Sequence, residues 1–243
     1  MKVLSLNLRY DNPADGAHCW SRRRAAVGEY LQELSADLVA FQEVLPGQRR
    51  DLDRLLPGYR SYGVCRDLKG LDEQCCWYVK DPWWFAEATT FWLSAEPQKV
   101  SRGWDAMLPR TCCLARIQGA QGQSFWAANV HLDHAGQRAR REGLELVARR
   151  LIEKDMPALL VGDFNEPDLW SRGGALADWT DCQSQQGLAH QGTYHGFQGG
   201  VGGPRIDAIL ASAHWKLSHF QLDLRPELSD HYPLWAELEA SRA

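Results

Sequence analysis

The chain has 243 residues, 44% of them hydrophobic, which is enough for one large core. No Pro/Ser-rich linker, charge block or short repeat divides it, so one domain over residues 1–243 is expected. A net charge of −4 argues against tight, sequence-blind binding to long duplex nucleic acid, which depends on Lys and Arg neutralising phosphates; it says nothing of a locally basic cleft.

Val3 to Leu8 alternates and is rich in β-formers, which predicts a first strand almost at the first residue. Ser21 can cap a helix to about Leu34, with Val27, Tyr30, Leu31 and Leu34 as its apolar stripe. A buried strand over Leu38–Val44 follows, then a short helix over Gln48–Leu56 that stops before Pro57-Gly58. Aromatic, β-branched and Cys-rich runs predict strands at Tyr59–Val64, Cys75–Val79, Phe85–Leu93, Thr111–Ile117 and Phe125–Leu132. Gln137–Glu153 is a basic amphipathic helix with Leu144, Val147 and Leu151 facing inward; its basic side reads as solvated rather than as a nucleic-acid surface. Strand Ala158–Gly162, an irregular polar region, and strands near Ile206–Ala211, Leu217–Leu222 and Leu234–Leu238 complete the chain. Many strands and few helices predict an α/β sandwich of two packed sheets with helices outside.

Seven cysteines is an odd number, and four of them form the neighbouring pairs Cys75-Cys76 and Cys112-Cys113. Neighbours on a strand point to opposite faces, so neither pair suits a disulfide or a zinc site. Buried reduced thiols and a reducing, cytoplasmic setting are expected. The apolar run at Met1–Leu8 is too short for a signal peptide. No stretch reaches the roughly 18 apolar residues of a membrane span, and nothing points to an obligate protein partner.

Polar residues recur where the predicted strands end. Asn7 closes the first, Glu43 the second, His131 the run Ala127–Leu132, and Asp163 and Asn165 the segment Leu159–Asn165. Asp207 lies within Arg205–Leu210, and Asp230-His231 leads into an apolar strand. Each of these alone is explicable as turn chemistry. An aspartate between apolar neighbours still needs a partner when buried, and the whole series is hard to assign to turns. The residue types suit metal-assisted phosphoryl transfer. Hard cations such as Mg²⁺ take carboxylate and amide oxygens, and the reaction needs an oriented water and a neutralised phosphate. His-Glu-x-x-His, Gly-x-Ser-x-Gly and Cys₂His₂ spacings are missing, which removes support for zinc proteolysis and serine-hydrolase chemistry.

Leu6-Asn7, Phe41-Gln42-Glu43-Val44, Asn129-Val130-His131-Leu132-Asp133-His134, Gly162-Asp163-Phe164-Asn165, Arg205-Ile206-Asp207 and Ser229-Asp230-His231 together resemble the endonuclease/exonuclease/phosphatase family, in that family's order. The resemblance spans nearly the whole chain and implies a four-layered α/β sandwich, DNase I-like, of two mixed sheets flanked by helices. It implies a phosphoesterase that uses Mg²⁺, with Mn²⁺ as a substitute. By the same resemblance Glu43 ligates the metal, with Asn7 and Asp230 completing or supporting its shell. Asp163 activates the attacking water, Asn165 aligns it with the phosphate, His231 held by Asp207 donates to a phosphate oxygen, and His131 contacts the phosphate from the opposite side. A Gly-Arg-Asp-Asp-Gly-like stretch of many relatives is altered here around Arg66-Asp67-Leu68-Lys69-Gly70, which leaves substrate contacts after Arg66 open.

The loops carry the rest. Arg24, Arg66 and Arg110 can hold a substrate phosphate or face solvent; Trp20, Trp104 and His195 can stack on a base or sugar or pack in the core or at the rim. The substrate expected is a phosphorylated small molecule or a short single-stranded nucleic acid. A nuclease for duplex or structured nucleic acid, and a non-catalytic binding protein of the same fold, are the alternatives.

Overall fold

Two mixed sheets of six strands each occupy the centre of the computed structural model, which describes residues 1–171 and 174–241. In chain order the elements are β1 (Lys2–Asn7), α1 (Trp20–Leu34), β2 (Leu38–Val44), α2 (Pro46–Leu55), β3 (Tyr59–Gly63), β4 (Gln74–Lys80), β5 (Trp83–Trp92) and β6 (Thr111–Gly119). Then come β7 (Ser124–His131), α3 (Gln137–Ile152), β8 (Ala158–Asp163), β9 (Thr180–Asp181), α4 (Cys182–Gln185), β10 (Asp207–Ala211), β11 (Trp215–Leu222) and β12 (Leu234–Ala240). One sheet runs β11-β12-β1-β2-β4-β3 and the other β5-β6-β7-β8-β10-β9. Each holds a parallel pair at its middle, β1 with β2 and β7 with β8.

Period-two alternation sorts the side chains into layers. Val3, Leu38, Ala40, Trp77 and Val79 face across to Cys113, Ala115, Ile117, Leu159 and Val161 of the other sheet. Their neighbours Leu4, Leu6, Val39, Phe41 and Tyr78 point outward onto α1 and α2, where Val27, Leu31 and Leu52 cover them. On the far side, Leu114, Val130 and Leu160 are covered by Leu144, Val147 and Leu151 of α3. The result is four layers, helix–sheet–sheet–helix. The cysteine doublets follow the same rule: Cys75 and Cys113 lie between the sheets, while Cys76 and Cys112 lie under the helices, and all seven thiols are free. Among the described residues, no helix is long and apolar enough to cross a membrane.

Two helix starts and one loop differ from expectation, and several strands run a residue or two longer. α1 begins at Trp20 with Cys19, not Ser21, in the cap position, because the Asp11 carboxylate already accepts the Trp20 N–H at 3.3 Å. α2 begins at Pro46 rather than Gln48; proline is pre-set for a first helical turn, and Gln48 Oε1 accepts the Leu45 N–H. The polar region after β8, read as irregular, contains the short β9 and α4.

A buried amide pair ties the sheets together beneath their C-terminal ends. Gln42 Nε2 donates to Asn129 Oδ1 at 2.7 Å, and Asn129 Nδ2 donates to the carbonyls of Phe41 (2.9 Å) and Cys76 (3.0 Å). All of this is out of reach of water, so no solvent replaces a lost partner. Asn129→Ala is therefore expected to lower the free energy of unfolding by about 2–4 kcal/mol, read by urea denaturation with an unchanged slope.

Candidate active site

The register of the second sheet sets three polar side chains in a row. His131 pairs with Asp163 across β7 and β8, and Asp163 pairs with Asp207 across β8 and β10. Each lies two or four residues from an inward-facing core position (Ala127, Val161, Ile209), so all three point between the sheets. On the first sheet Asn7 has the same phase as Val3 and faces them. Glu43 does not: alternation from Val39 and Phe41 would send it outward under the helices. A register shift between Phe41 and Val44, with φ of +60° at Glu43, breaks that phase and turns the carboxylate into the cleft. A left-handed backbone at a non-glycine residue is costly, so the surroundings must hold it. They do so through the Tyr10 N–H, which donates to Glu43 Oε2 at 3.0 Å, and Asn7 Nδ2, which donates to Oε1 at 3.0 Å.

Asn7 also donates to Asp163 Oδ2 at 2.9 Å, while its own Oδ1 accepts the Arg9 N–H at 2.9 Å. The amide thus bridges two carboxylates from different sheets, and its oxygen is occupied by main chain. Asp163 Oδ1 accepts the Asn165 N–H at 2.8 Å, and Asn165 Nδ2 donates to Leu132 O. His231 Nδ1 lies 2.9 Å from Asp207 Oδ2, which also accepts from Thr193 Oγ1 at 2.6 Å; His231 Nε2 lies 3.9 Å from Asp163. His131 Nε2 approaches Asp163 Oδ2 at 3.6 Å from the other side.

Charge states follow from these neighbours. Burial alone would lower the His231 pKa, but the carboxylates of Asp207, Asp163 and Asp230 outweigh it and push it up to about 10. His131 goes the other way: burial, with the Arg110 and Arg66 guanidiniums nearby, pulls it well below its usual value. Burial and the charge of Asp207 push Asp163 up to about 7; burial and Glu43 do the same for Glu73. At neutral pH one histidine is an imidazolium donor and the other a neutral ring.

These groups open into a cleft of about 900 Å³. Glu43, Asp163, Asn165, His131, Asp230, His231, Arg66 and Arg110 line it, whereas Asn7 and Asp207 stand behind it as supports. Three expected substrate contacts are not brought there. Arg24 projects from the solvent side of α1 and pairs with Asp51 at 3.2 Å. Trp104 is half-buried and does not line the cleft; Asp133 holds the loop by accepting from the Met107 and Leu108 N–H groups, and Leu108 and Arg110 face the cleft instead. His195 is buried against Tyr232, ring centroids 4.0 Å apart, while its N–H supports the Asp230 carbonyl. Trp20, the other candidate for stacking, is a core residue whose Nε1 donates to Asp51.

Other lining residues escaped the sequence reading. Arg9 and Tyr10 lie two and three residues after Asn7, Tyr194 adjoins His195, Asp72 and Glu73 follow the altered stretch after Arg66, and His134 ends the motif that begins at Asn129. Proximity in sequence to a motif was the available signal. Arg66 donates to Glu73 at 2.9 Å and pairs with Asp72 at 2.9 Å, and Arg110 pairs with Asp133 at 3.3 Å, so the far wall is built of acid–guanidinium pairs.

A hard cation fits the donor set. Single donor atoms of Glu43, Asp163 and His131 lie within 4.8 Å of one another, and Asp230 lines the same cleft. Carboxylate oxygens predominate, as Mg²⁺ and Mn²⁺ favour. The second acidic cluster, Asp163–Asp207–His231, suits a metal less, since Asp207 is committed to Thr193 and His231 and the ring holds its proton.

Asp133 offers a test away from the metal residues. Burial pushes its carboxyl up, but N–H donation from Gly136, Met107 and Ala135, with Arg110, holds it at about 2, against an ordinary 3.8. A depressed carboxyl stabilises the fold above its unfolded pKa and loses that contribution as pH falls toward the folded one. Asp133→Asn is expected to cost on the order of 1–2 kcal/mol at pH 6, with the gap to wild type closing between about pH 4 and pH 2. A gap independent of pH in urea titrations would refute the assignment.

A model of the endonuclease/exonuclease/phosphatase family matches residues 4–231. Among solved structures, an endonuclease/exonuclease/phosphatase from Bacteroides vulgatus superposes with a TM-score of 0.90 at 31% identity, over 99% of this chain and 98% of that one. A mannosyl-6-phosphatase of Bacteroides thetaiotaomicron gives 0.89 at 29% identity, over 98% and 99%. D. rerio TDP2 complexed with single-strand DNA product, at 19% identity, shares the fold, with a TM-score of 0.77 over 99% of each chain. No curated protein matches the sequence. The chain belongs to the endonuclease/exonuclease/phosphatase family, whose members are metal-dependent phosphoesterases.

Proposed function

We propose that this chain hydrolyses a phosphate ester of a small molecule, with Mg²⁺ as its metal, by in-line attack of water. The observation that carries the reading is the convergence of Glu43, Asp163 and the neighbours Asp230 and His231, from three separate chain segments, on one cleft. About 900 Å³ is the size of a small-molecule site, which favours a compact substrate over a duplex.

Glu43 and Asp230 would hold the ion, with the Asn7 amide orienting the Glu43 carboxylate. When bound, Mg²⁺ neutralises phosphate charge and stabilises the leaving oxygen. Asp163, raised to about 7, is matched to take a proton from the attacking water near neutral pH. The His231 imidazolium, oriented by Asp207, donates from Nε2 toward a non-bridging phosphate oxygen. Asn165 keeps water and phosphate aligned, and neutral His131 donates from the other side. Arg66, Arg110 and Tyr10 contact the rest of the substrate. Guanidinium, carboxylate and tyrosine groups side by side match vicinal hydroxyls, so a sugar phosphate is the first class to test. The 29% identity to a mannosyl-6-phosphatase over 98% of the chain supports the same choice. Seven free thiols fit a reducing, cytoplasmic setting.

Purified protein assayed with Mg²⁺ or Mn²⁺ against sugar phosphates, aryl phosphodiesters and short oligonucleotides should favour the sugar phosphates and lose activity in EDTA. EDTA-resistant hydrolysis would sink the mechanism. Asp163→Asn should keep the fold while kcat falls by ~10²-fold or more. Arg110→Ala should raise KM about fivefold or more with kcat nearly unchanged, the pattern of lost uniform binding; an unchanged KM would assign Arg110 to packing.

A further inference from the structure

Arg23, on the first turn of α1, is 3% exposed and does not line the cleft. Its guanidinium donates to four main-chain carbonyls. Nε reaches His18 O at 2.6 Å, Nη1 reaches Leu8 O at 3.0 Å and Leu228 O at 2.6 Å, and Nη2 reaches Arg9 O at 3.1 Å. Trp20 and Phe197 pack on it at 5.7 and 5.5 Å, and Phe197 stacks on His18 at 4.4 Å. Burying a cation is costly, and among the described residues no carboxylate forms an ion pair with this one, so the carbonyls carry its solvation.

The carbonyls it gathers adjoin the metal carboxylates. Leu8 and Arg9 lead to Tyr10, whose N–H donates to Glu43. Leu228 leads to Ser229, whose Oγ donates to Asn7 O at 2.6 Å and lies 3.2 Å from Asp230 Oδ1. The segment bearing Phe197 donates the His195 and Gly196 N–H groups to the Asp230 carbonyl. Three segments far apart in sequence thus meet on one planar cation. Lysine, with three N–H bonds on a single nitrogen, cannot span these four acceptors.

We propose that Arg23 is a positioning residue that sets the spacing of the Glu43 and Asp230 carboxylates, and through it the affinity for the divalent ion; this rests on the metal-dependent reading above. Manganese binding, measured by electron paramagnetic resonance on substrate-free protein, reads it directly. Arg23→Lys should retain cooperative melting, raise the Mn²⁺ Kd about tenfold or more, and speed amide exchange at residues 8–10 and 228–231. Phe197→Leu, which removes only the aromatic cover, should shift Kd in the same direction by about threefold, so the idea stays testable if Arg23→Lys folds poorly. Leu52→Ala, a core truncation under α2, controls for stability and should leave Kd within about twofold of wild type, since Leu52 belongs to the packing beneath α2 and not to the cleft. Wild-type Kd in both Arg23→Lys and Phe197→Leu overturns the inference, as does equal weakening in Leu52→Ala. Wild-type protein that binds no Mn²⁺ overturns instead the metal-dependent reading on which it rests.

Discussion

Two carboxylates from different sheets repel each other at close range, and the Asn7 amide makes their meeting tolerable by donating one N–H to Glu43 and the other to the buried Asp163. The bridge works because nothing in it is free to turn. The amide oxygen is held by the Arg9 N–H, and the Asn7 carbonyl accepts from Ser229. β1 lies between β12 and β2, so Asn7 stands on a strand that neighbours clamp on both sides. The Glu43 and Asp163 carboxylates are therefore held close in the folded chain, with the cost of bringing them together met during folding.

Burial beside different charges separates the two histidines. His231 sits between Asp207 and Asp163 and keeps its proton, whereas His131 faces the Arg66 and Arg110 guanidiniums and loses it. Both rings approach the same Asp163 oxygen, at 3.9 and 3.6 Å, yet environment alone assigns them different chemistry. Thr193, on the loop before β10, takes part by filling the remaining demand of the Asp207 carboxylate.

Scaffold and specificity occupy different parts of the chain. The sheet ends supply the polar groups that converge on the cleft, in a frame shared with the Bacteroides vulgatus structure at a TM-score of 0.90. The walls come from loops: residues 64–72 with Arg66, 101–110 with Arg110, and 193–204 with Tyr194. On the far wall each arginine is matched by an acid, Arg66 by Asp72 and Glu73, Arg110 by Asp133. That wall is therefore polar without being strongly basic.

Much of this was legible in the residues alone. Alternation in Val3–Leu8 and the apolar, aromatic or β-branched runs at Phe125–Leu132 and Ala158–Gly162 marked the strands, because strand preference is largely a local property. The polar strand ends at Asn7, His131 and Asp163 stood out against those apolar runs, and the pleat splits each cysteine doublet. Glu43 could be singled out but not aimed, since its alternation points it outward and only a bulge held by Tyr10 and Asn7 reverses it. Arg24 and Arg23 are neighbours of one chemical type, yet one faces solvent and the other is buried among four carbonyls drawn from three chain segments. His195 and Trp104 have the composition of substrate platforms, but His195 is claimed by Tyr232 and the loop of Trp104 is turned by Asp133. Where a side chain's fate is set within a few residues of itself, the sequence determined it. Where partners lie tens or hundreds of residues away, the meeting exists only in the folded chain, and the tertiary structure decided.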